Sequence, residues 1–600
     1  MARYQTYKLS DSEKVLLNNL FKDEELKSIP REVIRILFNR GIRTKDSINL
    51  TLFGKIKNLH NIPMRDQDRF NSRLTFANTK NEQVVVMGDY DTDGCMATCV
   101  AVLSLKTLGF RVNYYMNSRF KDGYGLKKSS VDEIRRLYPD VSVIITVDNG
   151  IKAFEAVDYC NDLGIDVLVT DHHKPASVIP NATAVINPKR EDCMYPFKEL
   201  CGAGVVWKTM LRLCEFLYPT NTFKKNKIKT LIWLVAIATV GDQVQLVDEN
   251  RIIVNHSLEK LNDPNYIWLI PFMDKLKELL KIEKFDSDTI GFYISPMINA
   301  MGRIEGNPLQ IVDAIVKEDL DTLEKVVAHM DVINKCRREM TEEQLKEALR
   351  LIEMENPDDK AILVHSDKFT EGIIGIVASR LVDKFYKPVI VLCPNEDGTY
   401  KGSCRSIDGI DIEGVLTSLS PYLIAYGGHP MAAGLTIDPS MIDKFKSKLI
   451  GLCSFYRDDL YENIVKIDLV LREQDVTPSL CNLIDMLGPY GNGFRKPKFF
   501  LKDFCIDFDK SLANKTKSIY VGKDGNTLRL VGSAGLVCIG FKASERFKLM
   551  EEPRFISMVG CPSINEFNGR VSAQFVIEND YLVKSEKMIK CGKWFERFVN

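Results

Sequence analysis

The stretch Val84–Gly94, VVVMGDYDTDG, places three carboxylates, Asp89, Asp91 and Asp93, at alternate positions directly after a run of β-branched residues. The apolar run reads as a buried strand, and the glycines and aspartates after it read as a turn. Carboxylates crowded at the mouth of a strand repel one another unless a cation lies between them. Oxygen ligands of this kind suit hard divalent ions such as Mg2+ or Mn2+. Taken alone, the turn fits an acidic surface loop or a structural calcium loop as well as a catalytic metal site.

Acid or imidazole recurs where later apolar runs stop. VSVIITVDNG carries Asp148 near its end, IDVLVTDHH ends on Asp171, His172 and His173, and the helix-like run LIWLVAIATVGD ends on Asp242. A lone aspartate after a strand is usually a helix cap, and a lone histidine is usually a satisfied polar group. Four such endings that one sheet can bring together favour a metal centre instead.

The elements that must do this are strands alternating with helices from Gln83 onward. VVVMG, RVNYYM, VSVIITV, IDVLVT and ATAVINP read as strands, with CMATCVAVLSLKTLG, SSVDEIRRLY and KAFEAVDYCNDLG as helices between them. That alternation predicts a parallel, doubly wound sheet, whose ligands sit at the carboxyl ends of its strands. Residues before about 80 read as helices, among them SIPREVIRILFNRG with its proline start and glycine stop. Asp321 to Glu355 contains no glycine or proline and has helical apolar spacing, so it reads as one long helix or two in line. Asn334, Arg337 and Arg338 on it face either a cleft or solvent. Residues 358–450 form a second α/β segment ending in Gly427-Gly428-His429, where the glycine pair permits close backbone approach. From about Lys466 the pattern is β-rich.

The composition is that of an ordinary soluble globular chain: 600 residues, 45% hydrophobic, 27% charged, formal net charge zero. The length calls for three or four domains. No apolar run reaches the roughly 18 residues of a membrane helix, and the N-terminus has no apolar core, so neither a membrane span nor a signal peptide is expected. Fifteen scattered cysteines without a Cys-x-x-Cys pair point to a reducing, cytoplasmic setting. Net charge is indecisive about a polyanion, which needs only a local basic groove. From Lys498 to the C-terminus seventeen Lys/Arg face twelve Asp/Glu. There Lys510, Lys515, Lys517, Tyr520 and Lys523 mix charge with an aromatic, as single-strand-binding surfaces do.

Asp91-Thr-Asp93, Val147-Asp148-Asn-Gly, Asp171-His172-His173 and Gly241-Asp242 together resemble the four motifs of the DHH phosphoesterase superfamily. Ser295-Pro-Met-Ile-Asn299-Ala-Met-Gly302-Arg303 continues the resemblance. Gly402-Ser403-Cys404-Arg405-Ser406 and Gly427-Gly428-His429-Pro-Met-Ala-Ala-Gly434 look like the DHHA1 substrate-binding domain. In this order they resemble the RecJ single-stranded-DNA exonucleases along nearly the whole chain.

The resemblance implies an α/β protein: a helical region over 1–80, a doubly wound parallel-sheet DHH domain over 81–305, a long connecting helix over 306–357, a smaller α/β DHHA1 domain over 358–455 and a C-terminal OB-like β-barrel over 465–600. It implies two divalent metal ions, Mn2+ or Mg2+, held by Asp91, Asp93, Asp148, His172 and Asp242, with Asp89 as a further ligand or an orienting neighbour. Asp148 and Asp242 are the candidates to bridge the ions. Two ions about 3.5–4 Å apart clamp the attacking and leaving oxygens of a phosphodiester. Asp171 is expected to bond a loop or a histidine. His173, Arg303 and His429 are the implied catalytic donors, and Arg119, Asn299, Ser403, Arg405 and Gly428 the implied substrate contacts, some holding a 5′-phosphate. Cys404, Met297 and the Phe494-Arg495 pair depart from the family's usual residues.

The implied activity is 5′-to-3′ hydrolysis of single-stranded DNA to mononucleotides in repair or recombination. The implied actor is a monomer off the membrane, with a helicase or single-strand-binding protein as partner. A phosphodiesterase for short oligonucleotides or cyclic dinucleotides, and a non-catalytic strand-binding relative, are the alternatives.

Overall fold

The alternating pattern folds into a parallel sheet whose chain order opens a crevice at the acidic turn. The computed structural model describes residues 3–263, 270–354, 356, 358–513, 517–522, 524–567 and 569–584. Two compact units form: Lys55–Tyr461 with Gly491–Phe494, and Met1–Gly54 with Glu462–Tyr490 and Arg495–Asn600. Strand β1 (Arg3–Thr6) belongs to the second.

In the first unit β2 (Gln83–Gly88), β3 (Val112–Met116), β4 (Val141–Val147), β5 (Asp166–Thr170) and β6 (Ala184–Ile186) pair in the order β3-β2-β4-β5-β6, all parallel. Side chains alternate between two cores, as the two-residue period requires. Val84 and Val86 pack with the helix Thr92–Leu108, and Val85 and Met87 with the helices Lys128–Leu137 and Phe154–Asp162. After β3 the chain crosses back over β2 to reach β4. That reversal leaves a crevice between the carboxyl ends of β2 and β4, where ligands bind in such sheets. The helix Ile232–Gly241 is apolar on all sides and accordingly buried from Ile232 to Thr239.

The connector is one 33-residue helix, Leu320–Ile352, capped where the Asp319 side chain accepts the Thr322 N–H. Its early residues Val327 and Met330 join the core of the parallel-sheet domain, and Ala348 joins that of the next domain. That domain is a mixed sheet of β7 (Ile362–His365), β8 (Val389–Pro394), β9 (Tyr400–Arg405), β10 (Ala425–His429) and β11 (Ala432–Ile437), in the order β10-β11-β9-β8-β7. Only β7 and β8 are parallel.

In the second unit β1 pairs in parallel with β12 (Ile464–Ile467), Arg3 opposite Ile464. This corrects the expectation that the first 80 residues are all helical. Four residues carry no local strand signal, and the partner that makes them a strand is distant in sequence. The helices Asp11–Lys22, Arg31–Asn39 and Lys45–Phe53 do form. Arg40 donates to both oxygens of Asp468, Nε to Oδ1 and Nη2 to Oδ2, each at 3.1 Å.

The β-rich tail closes into a barrel. β13 (Leu469–Leu471), β14 (Phe499–Cys505), β15 (Tyr520–Val521), β16 (Thr527–Val531), β17 (Val537–Gly540), β18 (Phe555–Phe567) and β19 (Arg570–Lys584) run in the order β13-β14-β18-β19-β17-β16-β15. A bridge between Ile506 and Gly532, with Ser533 N–H donating to Cys505 O, joins the end of β14 to that of β16. Phe499, Phe504, Leu528, Met558 and Phe575 are buried in this unit. Tyr520 is not a free stacking face, because Lys548 lies 4.4 Å over its ring and its hydroxyl donates to Glu552. Lys510 is tied to Asp507 and Ser533, Lys517 is exposed, and Lys515 and Lys523 lie outside the described residues.

Candidate metal centre and basic cavity

The crevice collects the residues that end the apolar runs. Asp91 caps the helix Thr92–Leu108, its Oδ1 accepting the Gly94 N–H at 2.9 Å. Asp93, in the first turn of that helix, accepts the Gly202 and Ala203 N–H groups at 2.7 and 2.8 Å. These amides open the helix Gly202–Leu217, so a helix N-terminus supports the buried carboxylate. Asp148 follows β4 with φ +62°, a conformation rare outside glycine. A Cβ on Gly202 would lie 2.6 Å from the Cβ of Asp148, so only glycine allows the approach. His172 follows β5, and Asp242 caps the helix Ile232–Gly241 at its carboxyl end.

His172 Nε2 lies 3.1 Å from Asp148 Oδ1, 3.6 Å from Asp242 Oδ2 and 3.7 Å from Asp93 Oδ2. Ligand atoms of Asp148, His172 and His173 fall within 4.8 Å of one another, and so do those of Asp93, His172 and Asp242. Asp89 and Asp91 line the same crevice, a cavity of about 330 Å3 bounded also by Tyr90, Arg119, Tyr124, Asp242, Gln243, Asn299 and Arg303.

Burial sets the protonation of this cluster. It raises the pKa of Asp93 to about 7, with the charge of Asp91 adding to it and the Gly202 and Ala203 amides opposing it. Asp89, Asp148 and Asp242 are raised by the same burial and by neighbouring aspartates. Burial, then the charge of His173, lowers His172 to about 3, so its imidazole is neutral. Buried Asp89 Oδ1 makes no hydrogen bond among the described residues, and Asp148 Oδ1 meets His172 Nε2 at 3.1 Å without hydrogen-bond geometry. Unpaired buried polar atoms are costly. Hard oxygen donors and a neutral imidazole are what a Mn2+ or Mg2+ site needs, and these residues fit one.

Asp171 stands apart from the crevice atoms. Its Oδ2 accepts the Ile151 N–H, and its Oδ1 accepts the N–H groups of His172 and His173 and lies 2.8 Å from His173 Nδ1. Burial would raise its pKa, but the hydrogen bond and charge of His173 hold it at about 2. Burial would lower His173, but the Asp171 hydrogen bond and charge, with Asp242 and Asp91, raise it to about 9. Nδ1 is thereby occupied, which leaves Nε2 as the ring nitrogen open to a ligand.

Arg119 and Arg303 line both this crevice and a second cavity of about 430 Å3 that also holds Glu371, Lys401, Ser403 and Arg405. Arg405 Nη1 donates to Ser403 Oγ and Cys404 O. Arg303 is half-buried and donates to Gly372 O at 3.2 Å. Burial and the charges of Arg119, Arg405 and Arg337 lower its pKa to about 10, the mark of cations gathered without enough anions. Asn299 accepts the Thr92 N–H through Oδ1, so its carbonyl holds the acidic turn while its amide remains for the crevice.

His429 and Gly428 are not drawn into either cavity. His429 ends β10 exposed, near enough to His173 and Lys152 that their charges, after its own partial burial, lower its pKa. Gly428 serves the β10–β11 pairing, where a Cβ would meet Ala432 O at 2.5 Å. On the long helix Asn334 is buried and accepts from Arg337 Nη2, whereas Arg338 is exposed. Two residues outside the sequence motifs also reach the site: Tyr124 donates to Asp148 O at 3.2 Å and stands 3.1 Å from His173 Nδ1, and the Lys189 charge reaches His172 and Asp242. The Gly-Tyr-Gly loop was the signal available for Tyr124.

Three family models match the chain: the DHH family N-terminal domain over residues 83–239, the DHHA1 domain over 358–454 and the RecJ OB domain over 467–579. Single-stranded-DNA-specific exonuclease RecJ of Bacillus subtilis (strain 168) is 34% identical over 557 residues, which cover 91% of this chain and 67% of that protein. The crystal structure of RecJ in complex with Mn2+ from Thermus thermophilus shares the fold with a TM-score of 0.79 at 24% identity, over 98% of this chain and 80% of that one. A crystal structure of exonuclease RecJ bound to manganese matches with a TM-score of 0.57 at 26% identity, over 67% of this chain and 98% of that one.

Proposed function

The chain belongs to the RecJ family of single-stranded-DNA-specific exonucleases, and from that premise we propose how its site works. It is a metal-dependent exonuclease that hydrolyses phosphodiester bonds of single-stranded DNA. Digestion runs 5′ to 3′, releases mononucleotides and serves repair or recombination. The carrying observation is the convergence of Asp93, Asp148 and Asp242 on His172, in a crevice joined through Arg119 and Arg303 to a cavity rich in cations.

Asp91, Asp93, Asp148, His172 and Asp242 hold the divalent ions, Mn2+ or Mg2+, with Asp89 beside them as ligand or orienter. Bound ions lower the pKa of water and neutralise charge developing on the phosphodiester. His173, kept protonated by Asp171, presents its Nε2–H to a phosphate oxygen and either steadies its charge or passes that proton on. Arg303 offers a planar fork to the same phosphate, and His429 a further donor. Arg119, Ser403 and Arg405 hold a 5′-phosphate, while the Asn299 amide and the Gly428 backbone flank the strand.

Catalysis is assigned to 81–305, the connector to 306–357, end recognition to 358–455 and strand grip to 465–600, with 1–80 as helical support. The chain acts as a monomer in the cytoplasm on strands supplied by a helicase or held by a single-strand-binding protein. Among the described residues no helix is long and apolar enough to cross a membrane.

Digestion of a single-stranded oligonucleotide labelled at either end, with Mn2+, Mg2+ or EDTA, tests this reading. Metal-dependent mononucleotide release from the 5′ end is expected. Release from the 3′ end overturns the polarity, and hydrolysis of dinucleotides but not long strands overturns the substrate.

A further inference from the structure

Among the residues proposed to hold metal, Asp242 has little local support. Asp91 and Asp93 receive backbone N–H groups at helix N-termini. Asp242 instead sits at the carboxyl end of its helix, where the dipole disfavours an anion. No hydrogen bond reaches its carboxylate among the described residues. Its direction therefore depends on the backbone that follows it. There Gln243 adopts φ +56°, a strained conformation for a side-chain-bearing residue that persists only when its surroundings impose it.

What imposes it comes from far along the chain. Gly491–Phe494 forms a tight turn closed by Gly491 N–H to Phe494 O at 3.1 Å and Phe494 N–H to Gly491 O at 3.2 Å. At its tip Asn492 Nδ2 donates to Gln243 O at 2.7 Å, and Asn492 O accepts the Leu246 N–H at 2.7 Å. One residue thus fixes both ends of the loop Gln243–Leu246. Asn492 Oδ1 accepts the Gly493 N–H at 3.0 Å, which orients the amide for its bond to Gln243. The turn fits closely. A Cβ on Gly491 would lie 3.0 Å from Leu246 Cδ2. Gly493 has φ +73°, and a Cβ on it would lie 3.2 Å from Gln245 Cβ. Phe494 is buried with the Arg251 guanidinium 4.4 Å from its ring centroid.

We infer that Asn492 is a positioning residue for the metal centre, holding the Gln243–Leu246 loop so that Asp242 is aimed at His172. The inference rests on the reading of Asp242 as a metal ligand. Its loss acts first on metal affinity, since groups that orient ligands typically change it 10- to 100-fold.

The test uses the full chain with Asn492→Ala and Asn492→Ser. Serine keeps an acceptor for the Gly493 N–H but is too short to reach Gln243 O. Mn2+ affinity is measured by calorimetric titration, cleavage as a function of Mn2+ concentration, and single-strand binding in EDTA. The expected result is Mn2+ binding weakened about 10-fold or more, cleavage recovered at saturating Mn2+, and EDTA binding unchanged. Mn2+ affinity within twofold of the wild type in both variants overturns the inference while leaving the metal centre standing. A wild-type chain that takes up no Mn2+ overturns the metal-centre reading and the inference with it.

Discussion

Asp171 Oδ1 lies 2.8 Å from His173 Nδ1 while the same oxygen accepts the backbone N–H groups of His172 and His173. One carboxylate therefore fixes the ring of His173, its charge and the backbone path of both histidines.

Asp171→Asn removes the charge that keeps His173 protonated and leaves an amide whose one oxygen cannot serve all four donors, Ile151 N–H on Oδ2 included. Cleavage should fall by about 10²- to 10⁴-fold, the usual worth of a positioned proton donor or acceptor. His173→Gln should cost about as much, and the double variant little more, because residues that act as a unit are not additive. Single-turnover cleavage at saturating Mn2+ is the measurement. Wild-type rates for Asp171→Asn would remove His173 from the chemistry.

Gly202 and Gly204 provide a matched pair. A Cβ at Gly202 would sit 2.6 Å from Asp148 Cβ and 2.7 Å from its Oδ1, whereas one at Gly204 meets nothing closer than Leu200 Cδ2 at 3.4 Å. Gly202→Ala should displace Asp148 and abolish Mn2+ uptake, while Gly204→Ala should bind Mn2+ as the wild type does. Equal binding by both would mean that Asp148 does not need its present position.

Without metal, the chain should become less stable as pH rises from 6.5 to 9. A carboxylate whose folded pKa lies above its unfolded value of about 4 binds more protons when folded, so its stabilisation is lost as pH rises through the folded value. Asp93, at about 7, does this within the window, and Asp89, Asp148 and Asp242 shift in the same direction. His173, raised to about 9, contributes stability that is present below about 6.5 and lost as pH climbs through 9. His172, lowered to about 3, opposes the trend only below about 6.5, because it is neutral in both states above that. Saturating Mn2+ should flatten the slope, since a bound cation takes over from the protons. Calorimetric melting in EDTA and in Mn2+ at pH 6.5, 7.5 and 8.5 decides it, and a metal-free chain that gains stability over this range contradicts the electrostatic account.

How far the sequence reaches depends on whether a residue's position is set locally. Asp91, Asp148, His172 and Asp242 each end an apolar run, and a doubly wound sheet has to bring strand ends together, so their convergence is legible from pattern alone. The resemblance to a known family then supplies the basic motif around Ser403 and Arg405, which no periodicity announces. β1 escapes because its partner β12 is hundreds of residues away. Tyr124 escapes because its glycine-flanked loop marks a turn without saying which neighbour the hydroxyl meets, and that neighbour is Asp148 O. Asn492 carries no assigned role until the loop beside Asp242 is in view. Gly428 reads as a ligand contact in sequence, yet its glycine is required by Ala432 and Ala433 across the hairpin.

The cavity beyond Arg303 leads to the last prediction. Arg119, Arg405 and Lys401 supply cations there, with Ser403 Oγ beside the Arg405 guanidinium and Glu371 already committed to Lys401 at 3.0 Å. A 5′-phosphate would bring the missing negative charge and accept a bidentate bond from arginine, which a single ammonium cannot make. A 5′-hydroxyl end offers neither. Arg405→Ala should therefore raise KM about 10- to 100-fold for an oligonucleotide bearing a 5′-phosphate, the 1.4–2.8 kcal/mol range of a charge-assisted hydrogen bond lost, and change it little for the 5′-hydroxyl version. Arg405→Lys should recover only part of the preference, because the charge returns without the fork. Steady-state cleavage of the two oligonucleotides by wild type and both variants separates these effects. If Arg405→Ala weakened both substrates equally, the cavity would track the strand's backbone and not its end.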